Sequence, residues 1–176
     1  MPVKISPNFK LPERNQNVKR SNMPKLEKLH TVAHTARNMY DLVCDVEKYP
    51  EFVPLCENLN VKSRKVRDGK VLLLADMTMA YKMLSETFTT QVLMNPDSLT
   101  IDVKYIEGPF KHLDNQWKFE ATGEDSCEIS FKLDYELRSK MLAMAAGTVF
   151  DVAFGRFVEA FENRANQIYI GSASPG

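Results

Sequence analysis

CEISFKLDYEL, residues 127–137, alternates apolar and polar side chains along its whole length. Ile129, Phe131, Leu133, Tyr135 and Leu137 share one face; Ser130, Lys132, Asp134 and Glu136 share the other. Side chains of a strand point to opposite faces in turn, so this pattern predicts an antiparallel strand with one face on a core and one in water. A long helical pattern follows, from about Lys140 to Ile170. Leu142, Ala146, Val149, Ala153, Phe157, Phe161 and Ile168 trace its apolar side, and Asp151, Glu159, Glu162, Asn163 and Asn166 its polar side. A lone long helix after a run of strands implies an α+β fold in which the helix covers one sheet face.

Upstream, the chain reads as a meander of hairpins. Val61 to Val66 and Val71 to Met79 flank Asp68-Gly69, the strongest short hairpin signal in the sequence. Asn95-Pro96-Asp97-Ser98 joins Glu86–Met94 to Leu99–Tyr105, and Thr122-Gly123-Glu124-Asp125 joins His112–Glu120 to the alternating strand. Before the meander, Leu26 to Ala33 predicts a first strand. Thr35 then suits the N-cap of a helix whose Met39, Leu42, Val43 and Val46 form one apolar stripe. Asp45 suits the cap of a second short helix carrying Tyr49 and Phe52 inward and ending near Pro54.

Residues 1–24 carry four prolines, no hydrophobic periodicity, and five cationic side chains against Glu13 alone. They are expected to be a disordered basic leader, with a targeting peptide as the alternative reading. The domain then runs over residues 25–170, with a short flexible tail at 171–176. Of 23 cationic and 23 anionic residues, 18 and 22 remain after the leader. This net-acidic balance makes DNA an unexpected partner, because phosphate neutralisation dominates such binding. No apolar run approaches the ~18 residues of a membrane helix. Cys44, Cys56 and Cys127 are odd in number and lack C-x-x-C spacing, which argues for reduced thiols rather than a disulfide framework or a zinc site.

Chemistry-bearing motifs are sparse. His30, His34 and His112 are scattered, and there is no phosphate loop, nucleophile elbow or metal motif. Asp45, Glu47, Asp76 and Glu86 are simplest as caps or solvated strand positions, so the reading is non-enzymatic. What the sequence supplies instead is aromatic and sulfur-containing bulk. Phe52, Leu55, Met77, Met79, Phe88, Phe110, Leu113, Trp117, Phe119, Phe131, Met144, Val149 and Phe150 are the candidate cavity residues, with Met83 and Met141 beside them. Methionine fills irregular apolar surface, and Trp117 has an indole N–H that either orients a ligand carbonyl or bonds to the backbone. Each such residue could equally fill core. Gly108-Pro109-Phe110 reads either as a lid over the cavity or as a plain strand connection.

Three segments carry a family resemblance. They are DVEKYPEFVPLC (residues 45–56), EGPFKHL with WKF (107–113 and 117–119), and the helix segment 150–165 containing FVEAFENRA. Together they resemble the coenzyme Q-binding START-like proteins, within the polyketide cyclase/dehydrase superfamily that also includes bacterial ribosome-association toxins. The resemblance covers about Lys25 to Tyr169. It implies a helix-grip fold (START-like, Bet v-like): a curved antiparallel sheet wrapped around a long C-terminal helix, with two short helices after the first strand. It also implies no catalytic cofactor, and a bound ubiquinone or similar isoprenoid lipid supporting respiration. Transient contact with a membrane surface goes with that role. The implied setting is the cytoplasm of a bacterium, peripheral at the inner membrane, or the mitochondrion of a eukaryote. The alternatives are a ribosome-associated, toxin-like protein that blocks subunit association, and a polyketide cyclase or aromatase.

Overall fold

A computed structural model describes residues 25–170, with the side chains of 148–152 and 170 outside the description. The leader and tail expected at 1–24 and 171–176 also lie outside the described residues. Seven strands form one antiparallel sheet: β1 (Lys25–Val32), β2 (Cys56–Arg67), β3 (Lys70–Tyr81), β4 (Leu84–Asn95), β5 (Thr100–Glu107), β6 (Phe110–Gly123) and β7 (Ser126–Leu137). Their order is β1-β7-β6-β5-β4-β3-β2, so β1 crosses to pair with the last strand and the rest is a meander. Between β1 and β2 lie α1 (Ala36–Cys44), a 3-10 turn (Val46–Lys48) and α2 (Tyr49–Phe52); α3 (Lys140–Ala165) follows β7 and ends in a π-helical turn (Asn166–Ile170). This is the helix-grip α+β architecture expected above.

Local chemistry accounts for the elements. The Thr35 hydroxyl accepts a hydrogen bond from the Asn38 amide and caps α1. Asp45 makes no side-chain cap, contrary to expectation; its backbone N–H instead closes α1 by donating to the Asp41 and Leu42 carbonyls. Asp68 and Gly69 take φ values of +51° and +74° and turn β2 into β3 with Arg67 opposite Lys70. The β3–β4 connection is equally tight, Tyr81 opposite Leu84, and forces Lys82 to φ +53° without any turn residue in the sequence.

Two features of the register shape the space under the helix. β5 pairs with β6 only from Thr100 to Lys104, so the two strands splay apart toward the Gly108-Pro109 turn. β4 pairs with β5 only from Thr89 onward, which leaves the first five residues of β4 hydrogen-bonded to β3 alone and the β3–β4 hairpin projecting past its neighbour. At the opposite end the sheet is closed. Met39, Leu42 and Val43 of α1 pack with Leu73, Met94, Phe119 and Cys127 in a continuous core. The far end of α3 is pinned there as well: His34 Nε2 donates to Asn166 Oδ1 at 2.7 Å and the Tyr169 hydroxyl donates to the Asn38 carbonyl at 2.8 Å.

Candidate ligand cavity

Between the sheet and α3 lies a cavity of about 380 Å³. Its floor is made by inward side chains of the central strands: Phe88, Thr90 and Val92 of β4, Ile101 and Val103 of β5, Leu113, Asn115 and Trp117 of β6, and Phe131 and Leu133 of β7. Its roof is α3, through Leu142, Ala145, Ala146, Ala153, Phe154 and Phe157. The space exists because of side-chain size. Three alanines of α3 face the widest part of a strongly curved sheet, together with Ala75 and Ala80 of β3. Larger residues at these positions would fill it as ordinary core, since protein interiors otherwise close to near-crystalline density.

The cavity is mostly apolar, with charged groups at the β1–α3 edge and Glu86 of β4 toward the β3–β4 hairpin. Trp117 stands over Phe131 with ring centroids 4.7 Å apart, and Phe131 meets Phe154 of the roof at 5.5 Å. The Trp117 indole N–H is committed within the protein, donating to Asn115 Oδ1 at 2.8 Å, while Asn115 donates to the Lys132 carbonyl. It is thus satisfied by a side chain rather than by the backbone. Along the edge between β1 and α3, Lys28 lies 6.0 Å over the Phe154 ring and His30 Nε2 is 3.2 Å from Glu162. That acid–base pair is half-exposed at the rim, not deep in the chamber. Among the described residues no group of three or more His, Cys, Asp or Glu is placed to hold a metal. The thiols of Cys44 and Cys56 are pushed up to about 11 by burial, which keeps them protonated and poorly nucleophilic at neutral pH.

Of the thirteen candidate residues, Leu55, Met77, Met79, Phe88, Phe110, Leu113, Trp117 and Phe131 line the cavity. Three others stand elsewhere. Phe52 packs on Phe161 at 5.2 Å, behind the cavity wall formed by Tyr49 and Val53. Phe119 is 2% exposed, one inward step beyond Trp117, where α1 has closed the sheet and Tyr40 meets its ring. Met144 is 79% exposed on the outer side of α3. The side chains of Val149 and Phe150 lie outside the described residues. Sequence reasoning missed Leu84, Ala145 and Ala146 as cavity residues; Ala146 was visible as one of the smallest members of the helix's apolar stripe, whereas Ala145 stood outside that stripe.

Gly108-Pro109-Phe110 forms one lip of the cavity. Gly108 has φ +137°, and a Cβ there would lie 2.7 Å from Phe88 Cβ, so the turn is pressed directly onto β4. This close approach delivers Phe110 into an aromatic group with Phe88 at 5.3 Å and Tyr135 at 6.2 Å.

A curved sheet gripping a helix over an apolar chamber defines a START-like hydrophobic-ligand-binding fold. Residues 32–162 match the family described as polyketide cyclase / dehydrase and lipid transport, and the chain belongs to that family. The Escherichia coli K12 protein named ribosome association toxin RatA is similar to it, 33% identical over 84% of this chain and 90% of its own length. The Drosophila melanogaster protein named coenzyme Q-binding protein COQ10, mitochondrial, is 31% identical over 76% of this chain and 55% of its own. Among solved structures, the ZhuI aromatase/cyclase of a Streptomyces species superposes with a TM-score of 0.74 at 15% identity, over 86% of this chain and 99% of its own. A START superfamily protein of Mycobacterium smegmatis superposes at 0.68 with 23% identity, over 82% and 98%. At these identities the two structures establish the fold alone.

Proposed function

We propose that the protein binds a polyisoprenoid quinone in the chamber between sheet and helix and carries it without transforming it. The observation that supports this most is the cavity itself, about 380 Å³ and mostly apolar. Three of its charged groups, Lys28, His30 and Glu162, gather at the edge between β1 and α3, and a fourth, Glu86, stands near the β3–β4 hairpin. A largely apolar site with a few polar groups at its margins suits a molecule with a long hydrocarbon tail and a small oxygenated head. A carrier needs no oriented acid–base pair near its ligand, and the His30–Glu162 pair lies at the rim. The name of the COQ10 relative points to the same ligand class. Organic extraction of protein purified from a quinone-producing cell, followed by mass spectrometry, is expected to recover a stoichiometric isoprenoid quinone. Protein that carries none and cannot be loaded with one would sink the proposal.

A second reading, ribosome association, draws on the RatA relative and on one surface feature. The β2–β3 hairpin bears Lys62, Arg64, Lys65, Arg67 and Lys70 against Asp68, and residues 63–70 are all exposed. Two of these cations are matched from neighbouring elements, Lys62 by Asp76 and Arg64 by Glu47. Charge on an edge strand also guards against strand-to-strand aggregation, which is why this reading stands second. Co-sedimentation with ribosomal subunits that disappears when Lys65, Arg67 and Lys70 are changed to Ser would favour it.

A further inference from the structure

The described residues include eight large hydrophobic side chains that are exposed, and five of them gather at one end of the molecule: Tyr81, Met83, Ile106, Met141 and Met144. The other three, Leu29, Val66 and Ile168, are scattered singly and need no explanation. The shared end follows from topology. In this meander the β3–β4 turn, the β5–β6 turn and the exit of β7 into α3 all lie at the same edge of the sheet. It is also the end at which Tyr81, Leu84, Pro109, Leu137 and Leu142 line the cavity.

We infer that this end is a lipid-docking face, which seats on an anionic bilayer through Met83, Met141 and Met144 and so places the cavity mouth against the membrane. The inference rests on the reading of the cavity as a lipid site. Met83, 98% exposed, is the tip of the hairpin that projects past β5, a finger with no β5 partner over its first residues. Met141 and Met144, 72% and 79% exposed, cover the outer side of the first turns of α3, whose inner side roofs the cavity. A folded protein gains nothing in water from three methionines presented at full length, whereas flexible apolar chains inserted at a headgroup boundary bury most of their surface.

The placement of cations beside the apolar tips, rather than net charge, favours a membrane over another protein as the partner. Each methionine finger has a lysine immediately before it, Lys82 before Met83 and Lys140 before Met141, and neither lysine has an ion pair among the described residues. Lys82 lies 5.4 Å over the Tyr81 ring, an aromatic with an apolar body and a polar tip. Lysine and tyrosine beside inserted apolar side chains place cation and hydroxyl at phosphate level. Lys111 on the same edge is neutralised by Glu136, and Glu57, Glu86 and Glu107 lie behind the two lysine-bearing tips, so the attachment is shallow and reversible.

The test is vesicle co-sedimentation of the full chain with quinone-free liposomes, roughly two parts phosphatidylcholine to one part phosphatidylglycerol, against phosphatidylcholine alone. The expected result is partitioning onto the anionic vesicles that weakens with salt. The triple variant Met83→Ser, Met141→Ser, Met144→Ser should lose about tenfold or more, because binding scales with buried apolar area. A control with equally exposed residues elsewhere, Leu29→Ser with Val66→Ser, should bind as wild type, and melting curves confirm that both variants are folded. The inference is overturned if wild type ignores the vesicles or if the triple variant binds them unchanged. It is also overturned if the triple variant merely dissolves a dimer seen by size exclusion. Because the vesicles hold no quinone, a negative result here is distinct from failure to extract a quinone from the cavity.

Discussion

Gly108 shows how one backbone atom set shapes the mouth of the chamber. Its φ of +137° lies where L side chains are rare, and the nearest heavy atoms to an added Cβ are Phe88 Cβ at 2.7 Å and Phe88 Cα at 2.9 Å. The second contact is backbone and cannot rotate away. Gly108→Ala is therefore expected to destabilise the fold by about 2–3 kcal/mol, read as a lower denaturant midpoint at unchanged slope. The β5–β6 turn should also lift from β4 and disturb the Phe88–Phe110 edge-to-face contact. By contrast Gly69, also at positive φ, has no neighbour within 4 Å; Gly69→Ala should cost only the conformational term, about 1 kcal/mol. Measuring both separates strain from crowding. Leu55, at φ +66°, is the cavity residue that holds a disfavoured backbone, tied down by the Ala80 amide donating to its carbonyl at 2.9 Å.

At the scale of elements, α3 is held unequally. Its last turns are fastened by Arg164 to Glu51 at 3.0 Å, by His34 to Asn166 and by Tyr169 to Asn38, whereas its first half rests on the cavity through alanines. Ala146→Phe would put a ring into existing space. It is expected to reduce ligand affinity at least about tenfold while leaving the empty protein as stable or about 1 kcal/mol more so, since filling a void reverses the cost of a cavity. Titration with a fluorescent quinone analogue and a thermal melt of the unloaded variant check the two halves; a parallel fall in both would mean simple misfolding. Much of this was legible beforehand. The alternation in 127–137 and the hairpin glycine at 69 carry their structure in local chemistry, and both appear as expected. The Lys82-Met83 turn does not, because neither residue favours a turn and the pairing of Tyr81 with Leu84 imposes it. Cavity membership was legible as a face but not as a depth. Phe119 and Trp117 point the same way along β6, and only the placement of α1 makes one core and the other chamber wall. Met144 was decidable from helix geometry alone: two residues from Leu142 is about 200° around the axis, away from the roof.

At the scale of the molecule, closed core and open chamber divide the fold lengthwise. One end is fixed by α1 and the last turns of α3; the other holds the projecting hairpin, the splayed β5–β6 strands and the start of the helix. A ligand occupying the chamber supplies the apolar contacts that this open end lacks. Binding to the folded state alone stabilises by mass action, about 2.7 kcal/mol at a hundredfold excess over Kd, and a domain of this length shifts by roughly 2–4 °C per kcal/mol. Solvent-stripped protein is thus expected to melt about 5–10 °C below protein reloaded with quinone. The gain should be local as well as global. Hydrogen exchange is expected to slow on loading in residues 81–88 and in the first turns of α3. The amides of α1 and of 160–166 should change less, because most of their packing is made without ligand and only Met39, Val43, Phe161 and Glu162 among them reach the chamber. Uniform protection across the sheet would mean that the ligand stabilises the fold as a whole, and that the two ends are not energetically separate.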